Sequence, residues 1–222
     1  MQKGMLRIYV RYRTDIVLRW KIKYDFSRRN RIENEVRSIP KVIVTEAQWL
    51  QIGMEQFARN GAEGLVIEKM AAELGCSKSS FYWYFKSRSE FIVKLVERWS
   101  ELTTQQVIRH SSQSEKAEDQ LKNLLTEMFA VTQKGDFLFY LRKLARENAA
   151  FQTILNTIEQ TRMSYVQGLF IKLGMTSEAA EQKSCILYHY YLGWYERHKH
   201  QQVHAEERAD HIGKLRVHLL GY

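Results

Sequence analysis

Between Thr45 and Trp99 the apolar residues recur at intervals of three and four, in four short runs divided by glycines and small polar residues. Ala47, Leu50, Met54, Phe57 and Ala58 form the first run and predict a helix opening at Thr45. Thr45 and Gln48 have capping-box spacing, in which the hydroxyl accepts a backbone N–H and the amide reaches back. Asn60-Gly61 ends this helix, since glycine enters the left-handed region without a Cβ clash. Gly53, inside it, lowers helix propensity but admits a close approach by another backbone. Ile67, Met70, Ala71 and Leu74 predict a second helix from about Val66 to Leu74, stopped at Gly75. Cys76 falls in the tight turn, and Ser77 is the expected N-cap of a third helix, Lys78 to Tyr84. Phe81 and Phe85 face inward, which leaves Lys78, Ser79, Ser80, Tyr82 and Tyr84 mostly outward. Ser87-Arg88-Ser89-Glu90 is a second capping box, followed by Phe91, Ile92, Leu95, Val96 and Trp99. A helix, a tight turn and a second helix make a helix-turn-helix, which sets one helix into the major groove of DNA.

From about Ser111 the pattern lengthens. Ser111-Ser112-Gln113-Ser114 reads as a polar joint, and helical periodicity then covers 115–133, 136–148, 150–173, 177–199 and 205–220. Gly135, Gly174 and Gly193 punctuate these runs. One proline among 222 residues and a 45% hydrophobic content fit an all-α chain with a proper core. The expected organisation is a basic N-terminal extension over 1–44, a three-helix helix-turn-helix DNA-binding domain with its linking helix over 45–110, and a helical-bundle ligand-binding and dimerisation domain over 111–222.

The residues of the first part resemble the tetracycline-repressor (TetR) family of bacterial transcription regulators. The resemblance rests on Phe57 with Gly61, Met70-Ala71, Leu74-Gly75-Cys76-Ser77-Lys78, Phe81-Tyr82-Trp83-Tyr84-Phe85, and Arg88 before Phe91. The run SFYWYF is close to the SFYWHF of one branch of that family. Looser similarity to the same branch continues through LRKLARENAAF, LNTIEQTR, LFIKLGMTSEAAEQK and YYLGWY. There are departures. Leu65 and Val66 stand where the family often has a phosphate-binding Thr, Arg88 replaces the usual Lys, and Tyr84 stands where His is usual. Arg88 keeps the charge and adds a bidentate fork; Tyr84 keeps a donor and an acceptor but changes reach.

Residue chemistry then assigns the contacts with DNA. Lys78 reaches a guanine edge or a phosphate. Ser79 and Ser80 are short enough for close approach, and bond base edges or phosphate. Tyr82 and Arg88 suit phosphate, which orients the protein without reading sequence. Trp83 rests on the backbone through its indole N–H, or, like Tyr84, packs between the third and fourth helices. Charge does not single out this module: residues 45–110 carry eight Lys and Arg against eight Asp and Glu, while residues 1–44 carry twelve against four. The extension is either a basic arm, with Ile8, Val10 and Tyr12 alternating with arginines in a β-hairpin pattern, or upstream sequence ahead of a start at Val36, Val42 or Val44.

For the second domain the resemblance implies a four-helix interface between two copies, formed by helices of about 177–199 and 205–220. The sequence agrees with that. Ala180, Ser184, Leu187, Tyr191 and Trp194 make one stripe, and Ala179, Ile186, Tyr190 and Gly193 a second, so the helix needs two partners. Ala205, Ala209, Ile212, Leu215 and Leu219 make a stripe on the last helix. The aromatics Phe129, Phe137, Phe139, Tyr140, Phe151, Tyr165, Phe170, Tyr188 and Tyr190 are mostly core, some of them cavity wall, with Arg142, Arg146, Glu147, Asn148 and Gln167 as orienting groups.

The expected partners are double-stranded operator DNA, a second copy of the chain and a small-molecule effector. The expected function is a sequence-specific repressor released by that effector. The alternative is a DNA-binding protein without a small-molecule switch, controlled by a protein partner or organising DNA. No enzyme motif stands out, and no cofactor is expected. His200 and His204 have i, i+4 spacing beside His198 and His211, but no third ligand is fixed, so no metal is expected either. Cys76 and Cys185 read as reduced thiols, no apolar run spans a membrane, and no secretion signal opens the chain, which together suggest the cytoplasm.

Overall fold

A computed structural model describes residues 44–130 and 135–221, apart from the side chains of Leu219 and Leu220. The basic extension lies outside the described residues except for Val44, and so do the last residues of the run 115–133. Among the described residues the secondary structure is all helical. The elements are α1 (Glu46–Asn60), a 3₁₀ turn (Gly61–Gly64), α2 (Ile67–Glu73), α3 (Lys78–Tyr84), α4 (Arg88–Ser100), a π-helical turn (Glu101–Gln105), α5 (Gln106–Ser111), α6 (Ala117–Phe129), α7 (Phe137–Glu147), α8 (Ala149–Lys172), α9 (Ser177–His198) and α10 (Ala205–Leu215), with a closing π-helical turn (Arg216–Leu220).

The caps follow the sequence closely. Gln48 N–H donates to Thr45 Oγ1 (3.3 Å), and Thr45 N–H donates to Gln48 Oε1 (2.9 Å). At α4 the Glu90 N–H donates to Ser87 Oγ (3.1 Å), but the Glu90 carboxylate accepts from Lys86 N–H (3.0 Å), one residue before the cap. Ser77 occupies the N-cap of α3, yet its hydroxyl pairs with Ser79 Oγ at 2.7 Å instead of capping a backbone N–H.

The buried face of α1 differs from the expected stripe. Trp49, Ile52, Gly53 and Phe57 are buried, while Ala47 is exposed and Leu50 and Met54 are half-buried. The large rings decide the rotation. Trp49 meets Phe81 edge-on at 5.3 Å, and Phe81 and Phe85 close on Phe91 at 5.1 and 4.7 Å. Gly53 is the floor of this cluster: a Cβ there would run into Phe91 Cζ and meet Leu95 Cδ1 at 2.6 Å. The close approach is thus made by side chains of α4 and not by a backbone.

This first core does not stop at α4. Phe137, Leu141, Phe151, Leu155 and Ile158 belong to it, and Trp99 stacks on Phe137 at 4.6 Å. The end of α1 is tied to α7 as well: Asp136 N–H donates to Ala58 O (2.8 Å) and Tyr140 Oη to Arg59 O (3.0 Å). Gly61, at φ 64°, lies against the Tyr140 ring, which a Cβ would strike at 2.5 Å. A second core gathers Leu121, Leu125, Phe129, Leu169, Phe170 and Leu187. The 24 residues of α8 span about 36 Å at 1.5 Å per residue, contributing Phe151 to the first core and Phe170 to the second.

Candidate nucleic-acid interface

The helix-turn-helix consists of α2, the Leu74–Ser77 turn and α3. Gly75 takes φ 67°, the left-handed conformation that closes α2. Phe81 and Phe85 anchor α3, fully buried, and thereby aim its other face at solvent. On that face Tyr82 is 49% exposed and Trp83 80% exposed, so the indole stands out from the surface and does not pack between α3 and α4. Lys78 and Ser79 are exposed beside them.

Three other expected contact residues have structural partners. Ser80 is half-buried and accepts a hydrogen bond from Trp49 Nε1–H at 3.4 Å. Tyr84 is half-buried against Phe85, at a ring separation of 6.2 Å. Arg88 donates to two main-chain carbonyls, Leu65 O at 3.3 Å and Ala62 O. Its guanidinium therefore closes the carbonyl end of the 3₁₀ turn that leads into α2. Lys78 is paired too: its Nζ lies 2.6 Å from Glu68 Oε1 on α2, and this hydrogen bond raises the Lys78 pKa and lowers that of Glu68. Both partners are exposed, and exposed pairs give way easily to a competing anion. Glu68 was not singled out by sequence, although its i+10 relation to Lys78 across a seven-residue helix and a tight turn is the available signal.

Behind this module a cavity of about 120 Å³ opens between the π-helical turn, α6, α8 and α9. Trp99, Phe137, Tyr165, Tyr188, Tyr191 and Leu187 are part of its apolar wall. Phe137, Tyr165 and Tyr188 are therefore wall residues, whereas Phe129, Phe151 and Phe170 are core and Phe139 is exposed. None of the orienting groups expected from sequence lines the cavity. Asn148 caps α8 through Ala150 N–H (2.9 Å), and Arg142 pairs with Glu159 (2.6 Å). Tyr188 donates to the same Glu159 oxygen at 3.1 Å, and burial pushes its pKa up to about 12.

The cation in the cavity wall, which Glu127 also lines, is Arg162. Its Nε donates to Thr104 Oγ1 (2.9 Å), its Nη2 to Thr103 Oγ1 (3.0 Å), and its guanidinium lies 5.2 Å from the centre of the Trp99 ring. The sequence did carry a sign of it. Arg162 falls in the apolar row of Leu155, Ile158, Val166 and Leu169, where a charge has to have a local reason.

Among the described residues no three His, Cys, Asp or Glu side chains converge as metal ligands, and no helix is long and apolar enough to cross a membrane. His200 and His204 do not share a helix face, because α9 ends at His198 and the chain leaves helical geometry before Ala205.

Comparison with known proteins adds the following. Residues 50–95 match the family of bacterial regulatory proteins described as the tetR family. No curated protein matches the chain. Several solved structures share the fold at low identity. A TetR-like transcriptional regulator from Rhodococcus sp. RHA1 aligns with TM-score 0.63 and 18% identity, covering 80% of this chain and 96% of its own. A TetR transcriptional regulator from Legionella pneumophila aligns with TM-score 0.61 and 10% identity, over 70% and 87%. AibR, solved with isovaleryl coenzyme A and operator DNA, aligns with TM-score 0.60 and 13% identity, over 76% and 96%. The pieces from Phe57 to Phe91 that carry the resemblance lie inside residues 50–95, the segment that matches the tetR family of bacterial regulatory proteins, and the fold of the chain is shared with solved TetR-like regulators.

Proposed function

We propose that this chain is a dimeric, sequence-specific DNA-binding repressor, released from its operator by a small molecule bound in the cavity behind the helix-turn-helix. In this reading 45–110 serves DNA and 111–222 the dimer, while the ligand chamber draws its wall from both segments, Trp99, Thr103 and Thr104 from the first and Arg162 and Tyr188 from the second. The observation that carries the reading is the outer face of α3. Lys78, Ser79, Tyr82 and Trp83 sit exposed on a helix whose opposite face is locked by Phe81 and Phe85, inside a segment matched to the tetR family. Tyr82 and Trp83 are the proposed phosphate and backbone contacts, and Lys78 and Ser79 the base-edge contacts. Ser80, Tyr84 and Arg88 act on the same interface from behind it, by holding α3 and α2 in place.

Support for the dimer comes from α9 and α10. Ile186 is 50% exposed and Val217 61% exposed, Tyr190 is partly open beside them, and a Cβ added at Gly193 would meet nothing. An apolar row with an open glycine suits close packing against a second helix pair, and a two-fold protein suits a two-fold operator. Support for the ligand comes from the cavity, and from one solved relative of the same fold that was captured with an acyl coenzyme A and operator DNA.

The deciding experiment measures binding of the purified protein to duplex DNA from upstream of its own gene, at two salt concentrations. A scrambled duplex and Tyr82→Ala are the controls. Selective binding, lost in Tyr82→Ala without loss of folding, is the expected result. Equal weak binding to both duplexes that vanishes with salt would leave only non-specific electrostatics, and the reading would fall.

A further inference from the structure

Arg162 has no carboxylate within ion-pair distance among the described residues. Glu159, three residues earlier on α8, and Glu127, on the cavity wall, are engaged elsewhere. Glu159 holds Arg142 and accepts from Tyr188, and Glu127 faces His110 at 3.7 Å with its side chain 42% exposed. An unpaired cation in an apolar chamber costs stability unless something compensates it. Here the compensation is partial: two neutral hydroxyls and the face of Trp99.

The geometry of that compensation is specific. Nε and one Nη form the side-on fork of a guanidinium, the edge that holds both oxygens of a carboxylate. In this chain the fork is filled by Thr103 Oγ1 and Thr104 Oγ1, one oxygen on each nitrogen, at 3.0 and 2.9 Å. Thr104 is buried, and Thr103 also donates to Trp99 O at 2.8 Å. Both threonines belong to the π-helical turn that continues α4, the helix packed directly on the DNA-binding core.

Resting on the reading of this cavity as the effector site, we infer that the effector is a small organic monocarboxylate, that Arg162 is its anion-binding group, and that its carboxylate takes the guanidinium fork from Thr103 and Thr104. The apolar body of the acid lies against Trp99, Phe137 and Tyr191. Its size is bounded, because a cavity of about 150 Å³ holds a benzene ring and this one is about 120 Å³. A ring with its carboxylate exceeds that space, and a short chain of about four carbons is the scale that fits. The exchange also defines the signal. With the fork empty of acid, α8 is tied to the π-helical turn; with acid bound, that tie is released and the turn is free to reposition α4. A neutral ligand of the same shape has nothing to offer the guanidinium and leaves the tie in place.

The test titrates the full-length protein with butyrate and isobutyrate, and with butyramide and isobutyramide as neutral counterparts. Calorimetry reads binding and operator retention reads release. In the wild type each acid binds at least about tenfold more tightly than its neutral counterpart, the ratio expected of a charge-assisted pair. Arg162→Gln abolishes that preference and Arg162→Lys keeps part of it. Thr103→Val removes a competitor for the fork and tightens acid binding, an effect that a purely structural Arg162 would not produce. Equal binding of acid and neutral counterpart, no binding of either acid, or a preference that survives in Arg162→Gln would each overturn the inference. Operator binding without any added compound is read separately. Its absence would sink the regulator reading while leaving the acid titration interpretable. Operator binding that no acid disturbs, with no acid bound, would sink the carboxylate inference alone.

Discussion

Glu68 sits across from Lys78 with its carboxylate 2.6 Å from the ammonium, on the face proposed to meet DNA. It both occupies a base-reading side chain and brings a negative charge toward phosphates. Glu68→Gln should therefore tighten DNA binding and make it steeper in salt, since one more cation is free to displace counterions; the slope of log affinity against log salt is the readout. Gly53 makes a purely structural prediction. Its Cβ would meet Phe91 and Leu95, and the Phe91 ring is itself held by Phe81 and Phe85. Gly53→Ala should lower stability by about 1–3 kcal/mol, the usual range for overpacking a tight core, as measured by chemical denaturation. Single residues were also where sequence reading was weakest. Phe81 and Phe85 were legible as inward because apolar residues four apart share a helix face. Arg88 was read as a phosphate contact because its type suits one, and nothing in the spacing reveals that the carbonyls of Ala62 and Leu65 lie within its reach.

The helices themselves were legible almost to their ends. Capping chemistry is local, and Thr45, Gly75, Ser87 and Gly174 mark boundaries in both sequence and structure, whereas Asn148, expected as an orienting group, is the N-cap of α8. What sequence periodicity did not give was the rotation of α1. Ala47, Leu50 and Met54 fit one helical face as well as Trp49 and Ile52 fit another, and only the aromatic rings waiting on α3 and α4 decide between them. The break inside the long helix from Arg88 to Ser111 was equally invisible, because a π-helical turn has no composition of its own. Arg88 has a consequence at this level. It joins the start of α4 to the turn before α2, so Arg88→Met should lower stability by about 1 kcal/mol, the order of one net hydrogen bond at a partly exposed site, and loosen α2 together with its operator contact. Arg88→Lys, which keeps the charge but not the fork, should recover the salt dependence of DNA binding and not the stability.

For the molecule as a whole, the proposed dimer and the pH response belong to the same corner. His211 on α10 stacks near Tyr190 (5.8 Å) and Trp194 (5.5 Å), meets Phe129 edge-on (5.1 Å), and has His198 nearby on α9. Burial holds its pKa below the usual 6.5, His198 and Lys214 push the same way, and Asp210 and Glu207 oppose them. The unfolded chain therefore takes up this proton at a higher pH than the folded one. The stability associated with His211 is complete above pH 6.5 and drains away as the pH falls through its lower folded value. A stability profile from pH 8 to pH 5, taken on the wild type and on His211→Gln, should show a fall in the first that is shallower in the second. The adjoining surface gives the dimer test. Ile186→Lys or Val217→Lys should convert a dimer to monomer in sedimentation without lowering helix content, because both side chains are exposed in the single chain.

The extra backbone residue held in the Glu101–Gln105 turn, where Gln106 N–H donates to Glu101 O, bears on how this chain tolerates change in length. Each residue of an α-helix turns the chain by about 100°. Deleting one residue there would restore a regular helix, but would swing α5 by that angle and part Ser111 Oγ from Tyr165 Oη, now 2.8 Å away in the interior. Substitutions in this stretch can be absorbed one side chain at a time, while a single-codon deletion would put the reading head and the ligand chamber out of phase. The number of residues between Trp99 and Val107 is thus under tighter constraint than most of their identities, and insertion and deletion scanning should find its sharpest intolerance there.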